Sequence, residues 1–594
     1  MPELVSKARS RSFSGSSFTA SCARTWSRNS LWYMKPPRNP PYRPPMGGRY
    51  TGSSPSRELP MPLPPPPPPS IQILAGADLW TAQGPQSGQA LAIRKGKIVA
   101  VGPVEAVAKA HPKAQRIDLP GGTLLPGLIE GHAHVGGLGA LSRKVDLTGL
   151  ADLHSAQARL RTWSAAHPQG WLLGRGWDQN HWPDKQFPKA VDLDALTGSR
   201  PAFLQRVDGH AAWVNSAALA MAGIGPKTPD PAGGRILRDA TGRPTGILLD
   251  AAVDLVEKLI PEPSSAELEA RLKAGLTALR ANGFTAVADM GVGARELAAY
   301  RRMAAAGTLP IRVFAYLNHD HRLMLRELKQ GRARNLSFFQ VQGVKFYLDG
   351  ALGSRGARLL APYADEPSTQ GLWVTDPIKV GMDASITLRA GYQPAIHAIG
   401  DAANRVALEL LAKALKRGRG PLPPRIEHAQ IVTAEDAARF GKLRVVASVQ
   451  PVHCTSDHSW TPARLGPERV DEAFPWRSFA SGGALLAFGS DAPVEDPNPY
   501  ISIAAAETRQ DPAGNPPGGF LPQHRLTRLE AVRAYTSGNA EALGRAKDLG
   551  ALQKGAVADL LWVQAPLGEI SPEALRKLRP GRLWVNGVEV PLAH

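Results

Sequence analysis

Six positions in this 594-residue chain carry side chains that bind metals or move protons, and each stands at or near the end of an apolar run. His132 and His134 lie in TLLPGLIEGHAHV. Side chains alternate along a strand, so residues two apart point the same way and both imidazoles can face one ion. Lys345 lies in GVKFYLDG, His397 in QPAIHAIGD, His428 in PRIEHAQ and Asp491 in ALLAFGSDAP. Singly, each has a framework reading: a hydrogen-bonded histidine, or a lysine paired with Asp349 or Asp491. Together, several neutral imidazoles and a carboxylate are the donor set of a borderline divalent metal such as zinc, as one ion or two. Such an ion lowers the pKa of a bound water toward about 7 and polarises a carbonyl. Asp491 can then take the proton and deliver it to a leaving nitrogen, giving a carboxylic acid and an amine.

Eight apolar segments must position these residues, and all six functional side chains fall in or just after five of them. The segments are TLLPGLIEGHAHV, FTAVADMG, IRVFAYL, GVKFYLDG, QPAIHAIGD, PRIEHAQ, RVVASVQP and ALLAFGSDAP. Amphipathic stretches such as AELEARLKAGLTALRANG separate most of them, which predicts a parallel sheet covered by helices. Eight repeats predict a closed (β/α)8 TIM barrel, an α/β fold whose chemistry sits at the C-terminal strand ends. About 120 residues intervene between the first segment and the helix before the second. This insertion, at about 140–262, leaves from the catalytic end and is placed to wall or cap a pocket.

Short strand-like segments occur at both chain ends. LAIRKGKIVAVGP turns at Lys95–Gly96, and GRLWVNGVEV turns at Asn586–Gly587, a strong hairpin signal. The reading is a small β-sandwich domain composed of residues 71–123 and 546–594, with a hydrolase barrel at 124–545. Residues 1–70 read as a disordered basic tail ending in the proline run Pro64–Pro69.

The net charge of +19 is inflated by that tail, which has ten Lys/Arg against two Asp/Glu. No basic helix or aromatic–basic interleaving accompanies it, so nucleic acid is not the expected partner. No apolar run reaches transmembrane length and no signal peptide is recognisable, so the expected location is cytoplasmic, away from membranes. Two cysteines, Cys22 and Cys454, exclude both a disulfide framework and a four-thiolate zinc site.

At these residues the chain resembles the amidohydrolase superfamily, in particular its YtcJ-like group, which includes N-substituted formamide deformylase. The words carrying the likeness are PGLIEGHAHV, GWD at 176–178, DGHAAWVNSAAL at 208–219, VKFYLDGALGSR, HAIGD, RIEHAQ and GSDAPV, in the family's order over roughly residues 71–565. The resemblance implies one metal held by His132, His134 and Asp491, and a second by His397 and His428. Lys345 would bridge them as a carbamate, and Lys345, His428 and Asp491 would also serve catalysis. It further implies substrate contacts from Trp177, Asp178, His210 and Asp349, although capping or turn roles explain the first three nearly as well. Asp349 can also orient Lys345. His453 and Cys454 follow the seventh segment near the barrel mouth.

The expected activity is therefore hydrolysis of a non-peptide carbon–nitrogen bond in a small amide-like molecule. A lactonase or phosphotriesterase-like activity would use the same site, and a non-catalytic binding protein is the third reading. The small β domain could support a homodimer.

Overall fold

The computed structural model describes residues 71–592 except 180–181, 207–210, 232–233, 334 and 419. The tail of residues 1–70 and His210 lie outside the described residues. Contacts divide the chain into two compact units, Lys144–Pro261 and the residues on either side of it.

The larger unit contains the barrel. Its strands are β1 (Leu128–Ala133), β2 (Phe284–Val292), β3 (Arg312–Asn318), β4 (Phe339–Tyr347), β5 (Gln393–Ala398), β6 (Arg425–His428), β7 (Val446–Val449) and β8 (Leu485–Phe488). They neighbour one another in chain order, all parallel. Strands such as β2, FTAVADMGV, are buried throughout, as a strand covered on both faces must be. The helix Ser265–Ala281 before β2 shows the local logic. Ser264 and Glu267 cap its first turn reciprocally, and Leu268, Leu272, Leu276 and Leu279 bury one stripe.

The seam between β8 and β1 is closed just past the strand ends. Asp491 N–H donates to His132 O at 2.7 Å, and His134 N–H donates to Ala492 O at 2.8 Å. The two segments approach so closely that glycine is required on each. A Cβ on Gly131 would lie 2.4 Å from Phe488 O, and one on Gly489 would lie 2.5 Å from His132 N.

The chain ends supply two further sheets. One contains Gln72–Ala75, Gln89–Arg94, Lys97–Pro103 and Gln115–Asp118; the other contains Asp78–Thr81, Gly84–Gln86, Thr123–Pro126, Leu560–Val563, Arg582–Val585 and Val588–Val590. They form the small sandwich, sharing a core of Leu74, Leu91, Leu124, Leu560 and Trp584. Both hairpin turns fall at the expected residues, with positive φ at Lys95, Gly96, Asn586 and Gly587. One boundary differs from the sequence reading. TLLPGLIEGHAHV is two strands rather than one, because Thr123–Pro126 pairs with Leu560–Val563 and only Leu128–Ala133 enters the barrel.

Lys144–Pro261 has a six-stranded sheet of its own, running in spatial order through Gly234–Arg238, Pro244–Asp250, Ala211–Val214, Ala202–Arg206, Leu172–Trp177 and Val145–Asp146. Val145, Leu160, Trp177, Leu204 and Trp213 make its core. Among the described residues, no helix is long and apolar enough to cross a membrane.

Candidate metal centre

His132 and His134 leave the end of β1 with their rings 5.6 Å apart. Asp491 reaches them across the seam, with Oδ1 at 3.1 Å from His134 Nε2 and 3.4 Å from His132 Nε2. These three residues bring one donor atom each within 4.8 Å of one another. Asp491 has φ 59° and His428 φ 74°, so the backbone is bent into the left-handed region at two of the expected site residues.

The outward nitrogen of three imidazoles is fixed by an acceptor. His132 Nδ1 lies 2.7 Å from Glu427 Oε2, His134 Nδ1 2.9 Å from Met290 O, and His428 Nδ1 2.9 Å from Gln450 Oε1. A carboxylate, a carbonyl and an amide oxygen each call for an N–H at Nδ1. That leaves the lone pair of all three Nε2 atoms turned inward, the tautomer a metal ligand needs. Burial, with Lys345 adding to it, holds His132 down to about 4 and His397 down to about 3. Burial and then His397 keep His428 well below the usual imidazole range. These rings are neutral at ordinary pH.

Glu427 is itself anchored from below. Arg425 Nε donates to its Oε1 at 2.8 Å, and Arg425 Nη2 to its Oε2 at 3.1 Å. Arg425 Nη2 also donates to Gly131 O and Ser448 Oγ, both at 2.7 Å. Burial alone would raise Glu427, but Arg425 and then His132 outweigh it and hold the carboxyl well below the usual range. A charged pair thus fills the barrel interior beneath the centre. The sequence reading missed it, although the signal was there: Arg and Glu two apart in β6 share one face of an otherwise apolar strand.

Lys345 is brought to the same place. Its side chain is buried, with Nζ 3.2 Å from His132 Nε2, and burial pushes its ammonium down to about 8. His397 lies beside His428, ring centroids 4.5 Å apart. Buried polar atoms that normally find hydrogen bonds lack them here: His397 Nε2, His453 Nε2 and Asp491 Oδ1 have none. Orphaned donor atoms converging with fixed tautomers fit a divalent ion. All six expected residues therefore gather around one centre.

The expected substrate residues are placed differently. Asp349 accepts from the backbone N–H groups of Arg358, Ile399 and Gly400 at 2.8–3.0 Å, so it ties loops together, and it approaches the centre at His397 Nε2, 3.6 Å away. Trp177 is buried in the core of Lys144–Pro261, its indole donating to Leu204 O at 2.8 Å. Asp178 pairs with Arg206 at 2.7 Å in the same unit. Cys454 is buried, and burial raises its thiol to about 12, against any nucleophilic role. Its neighbour His453, noted in the sequence only as near the mouth, does join the centre, grouping with His428 and Asp491 within 4.8 Å.

A family model described as "Amidohydrolase family" matches residues 115–591, and one for an imidazolonepropionase-like composite domain matches residues 90–114. The chain is 32% identical to the YtcJ amidohydrolase of Bacillus subtilis (strain 168), over 84% of this chain and 95% of that protein. It is 28% identical to the N-substituted formamide deformylase of Arthrobacter pascens, over 84% and 94%. Among solved structures, it superposes on an uncharacterized metal-dependent hydrolase from Pyrococcus horikoshii OT3 with TM-score 0.72 and 27% identity, covering 85% of this chain and 99% of that one. The match over most of both lengths, on a barrel whose histidines, lysine and aspartate converge at one end, places this chain in the amidohydrolase family.

Proposed function

We propose that this chain is a metal-dependent hydrolase of a non-peptide carbon–nitrogen bond, acting on a small amide- or formamide-like substrate. The observation that carries the reading is the fixed tautomer of His132, His134 and His428, each with Nδ1 held by an acceptor, while Nε2 of His132 faces Lys345 and Asp491 and Nε2 of His134 faces Asp491. In this reading His132, His134 and Asp491 would hold one zinc-like ion and His397 and His428 a second, with Lys345, as a carbamate, completing the ligand set. When bound, such ions would supply Lewis acidity for a water and the substrate carbonyl. Asp491 takes the proton of the attacking water and passes it to the leaving nitrogen, so the products are a carboxylic acid and an amine. The name of the Arthrobacter relative supports a formamide-like bond as the first to try.

The test is elemental analysis of protein purified without chelator, followed by a substrate panel of N-substituted formamides, anilides, lactones and phosphotriesters. One or two divalent ions per chain, turnover of a C–N substrate, loss on exhaustive chelation and recovery on re-addition are expected. Undiminished turnover in metal-free protein defeats the reading. Turnover confined to the lactones or phosphotriesters keeps the centre and reassigns the bond.

A further inference from the structure

His453 stands in the centre without the mark of the other imidazoles. It follows β7 at the third residue of the short helix Pro451–Asp457. Its neighbour Gln450 orients His428, and the His453 ring lies parallel to that of His428, 17° between planes and 6.0 Å between centroids. Its Nε2 is buried, has no hydrogen bond, and faces Asp491 Oδ2 at 3.8 Å. Thus Oδ1 of Asp491 faces His132 and His134, while Oδ2 faces His453.

A ligating histidine almost always donates its other ring N–H to a carboxylate, carbonyl or water, which fixes the tautomer. His132, His134 and His428 do so. Among the described residues, no such acceptor holds His453 Nδ1 in the way that Glu427, Met290 and Gln450 hold the other three rings, and its buried Nε2 has no hydrogen bond. Its Nε2 faces an acceptor, Asp491 Oδ2 at 3.8 Å, which favours the proton on Nε2. A buried N–H beside the base, turned into the centre and satisfied by nothing, is a donor awaiting a group that the protein does not provide. The side chain remains 13% exposed.

We propose that His453 is a catalytic residue that contacts substrate: its Nε2–H donates to the carbonyl oxygen of the bond being hydrolysed and to the oxyanion that oxygen becomes. This deepens the reading of the site given above and rests on it. The residue acts only as a hydrogen-bond donor. It forms no covalent bond and changes no proton count, and it strengthens its hydrogen bond as charge builds on the oxygen. The competing assignment, in which His453 joins His428 and Asp491 around an ion, predicts a different stoichiometry.

The experiment uses the full chain loaded with cobalt(II), with methylphosphonate as a tetrahedral oxyanion probe read by the visible cobalt spectrum. His453→Ala should keep the wild-type cobalt content and melting temperature but bind methylphosphonate about tenfold or more weakly, as expected for one lost hydrogen bond to a charged group. His453→Gln, which retains an N–H donor, should recover part of that affinity. Equal probe affinity in wild type and both variants overturns the proposal, as does a loaded wild type that gives no response to the probe. Loss of one cobalt equivalent in both variants also overturns it, making His453 a ligand. A wild-type chain that takes up no divalent ion brings down the metal-centre reading itself, an outcome distinct from those.

Discussion

The backbone N–H of Asp491 donates to the carbonyl of His132 at 2.7 Å, so the two residues that meet through their side chains at the candidate centre also close the barrel through their main chains. This separates two properties of Asp491. Asp491→Asn keeps the main-chain bond and a residue type that tolerates the left-handed φ of 59°. We expect kcat to fall on the order of 100-fold or more, with the melting temperature nearly unchanged. Asp491→Ala should lose the same activity and, because alanine fits that backbone poorly, about 1 kcal/mol of stability as well. Near-normal turnover in the asparagine variant removes Asp491 from proton transfer.

Lys345 carries the carbamate hypothesis. An ammonium buried among imidazoles is disfavoured, burial pushes it down to about 8, and the neutral amine can add carbon dioxide. Lys345→Ala should lose most activity and at least one ion, and added formate or acetate should restore part of the activity by occupying the vacated space. A high-resolution map of fully loaded, active protein showing a plain ammonium excludes the carbamate.

Glu427 touches His132 and Arg425 but not the space between the donor atoms. Glu427→Gln leaves Arg425 as a buried charge without its counterion, at a cost of about 3 kcal/mol in chemical denaturation. It also weakens the tautomer preference of His132, so ion affinity should fall about 10- to 100-fold. Pairing the change with Arg425→Met removes both charges and should recover stability without recovering affinity. Parallel recovery of both quantities would mean that Glu427 acts only through the fold.

Gly343 lies in β4 two residues before Lys345. A Cβ there would stand 1.8 Å from Gln393 O on β5. Gly343→Ala must push the two strands apart, with a loss of about 1–3 kcal/mol in unfolding experiments. Because β4 and β5 carry Lys345 and His397, ion content should fall with it. A variant with native stability and full ion content would show that the barrel absorbs the methyl without moving either residue.

Much of this architecture was legible in the sequence. The strand order and the placement of His132, His134, Lys345, His397, His428 and Asp491 at one end follow from apolar runs that each finish in a polar residue, a pattern that survives without knowing any contact. The parts that were not legible depend on pairing. Nothing local distinguishes Thr123–Pro126 from Leu128–Ala133, since what parts them is the choice of partner, Leu560–Val563 against β2 and the β8 seam. Asp349 looked available to substrate because its three backbone donors come from residues 358, 399 and 400. His453 looked incidental because its significance lies in the Asp491 oxygen opposite it.

The seam also sets a schedule. His132 lies in the first barrel strand and His134 just after it, while Asp491 lies in the turn after the last, so a ribosome delivers the two histidines long before the aspartate that faces them. Domains fold during or just after synthesis, N-terminal parts first. A nascent chain halted between residues 134 and 491 therefore has His132 and His134 but neither the closing carboxylate nor the hydrogen bond that shuts the ring. In the reading proposed for the site, the full donor set exists only once residue 491 has been made, so a chain interrupted before it is expected to be inactive rather than partly active.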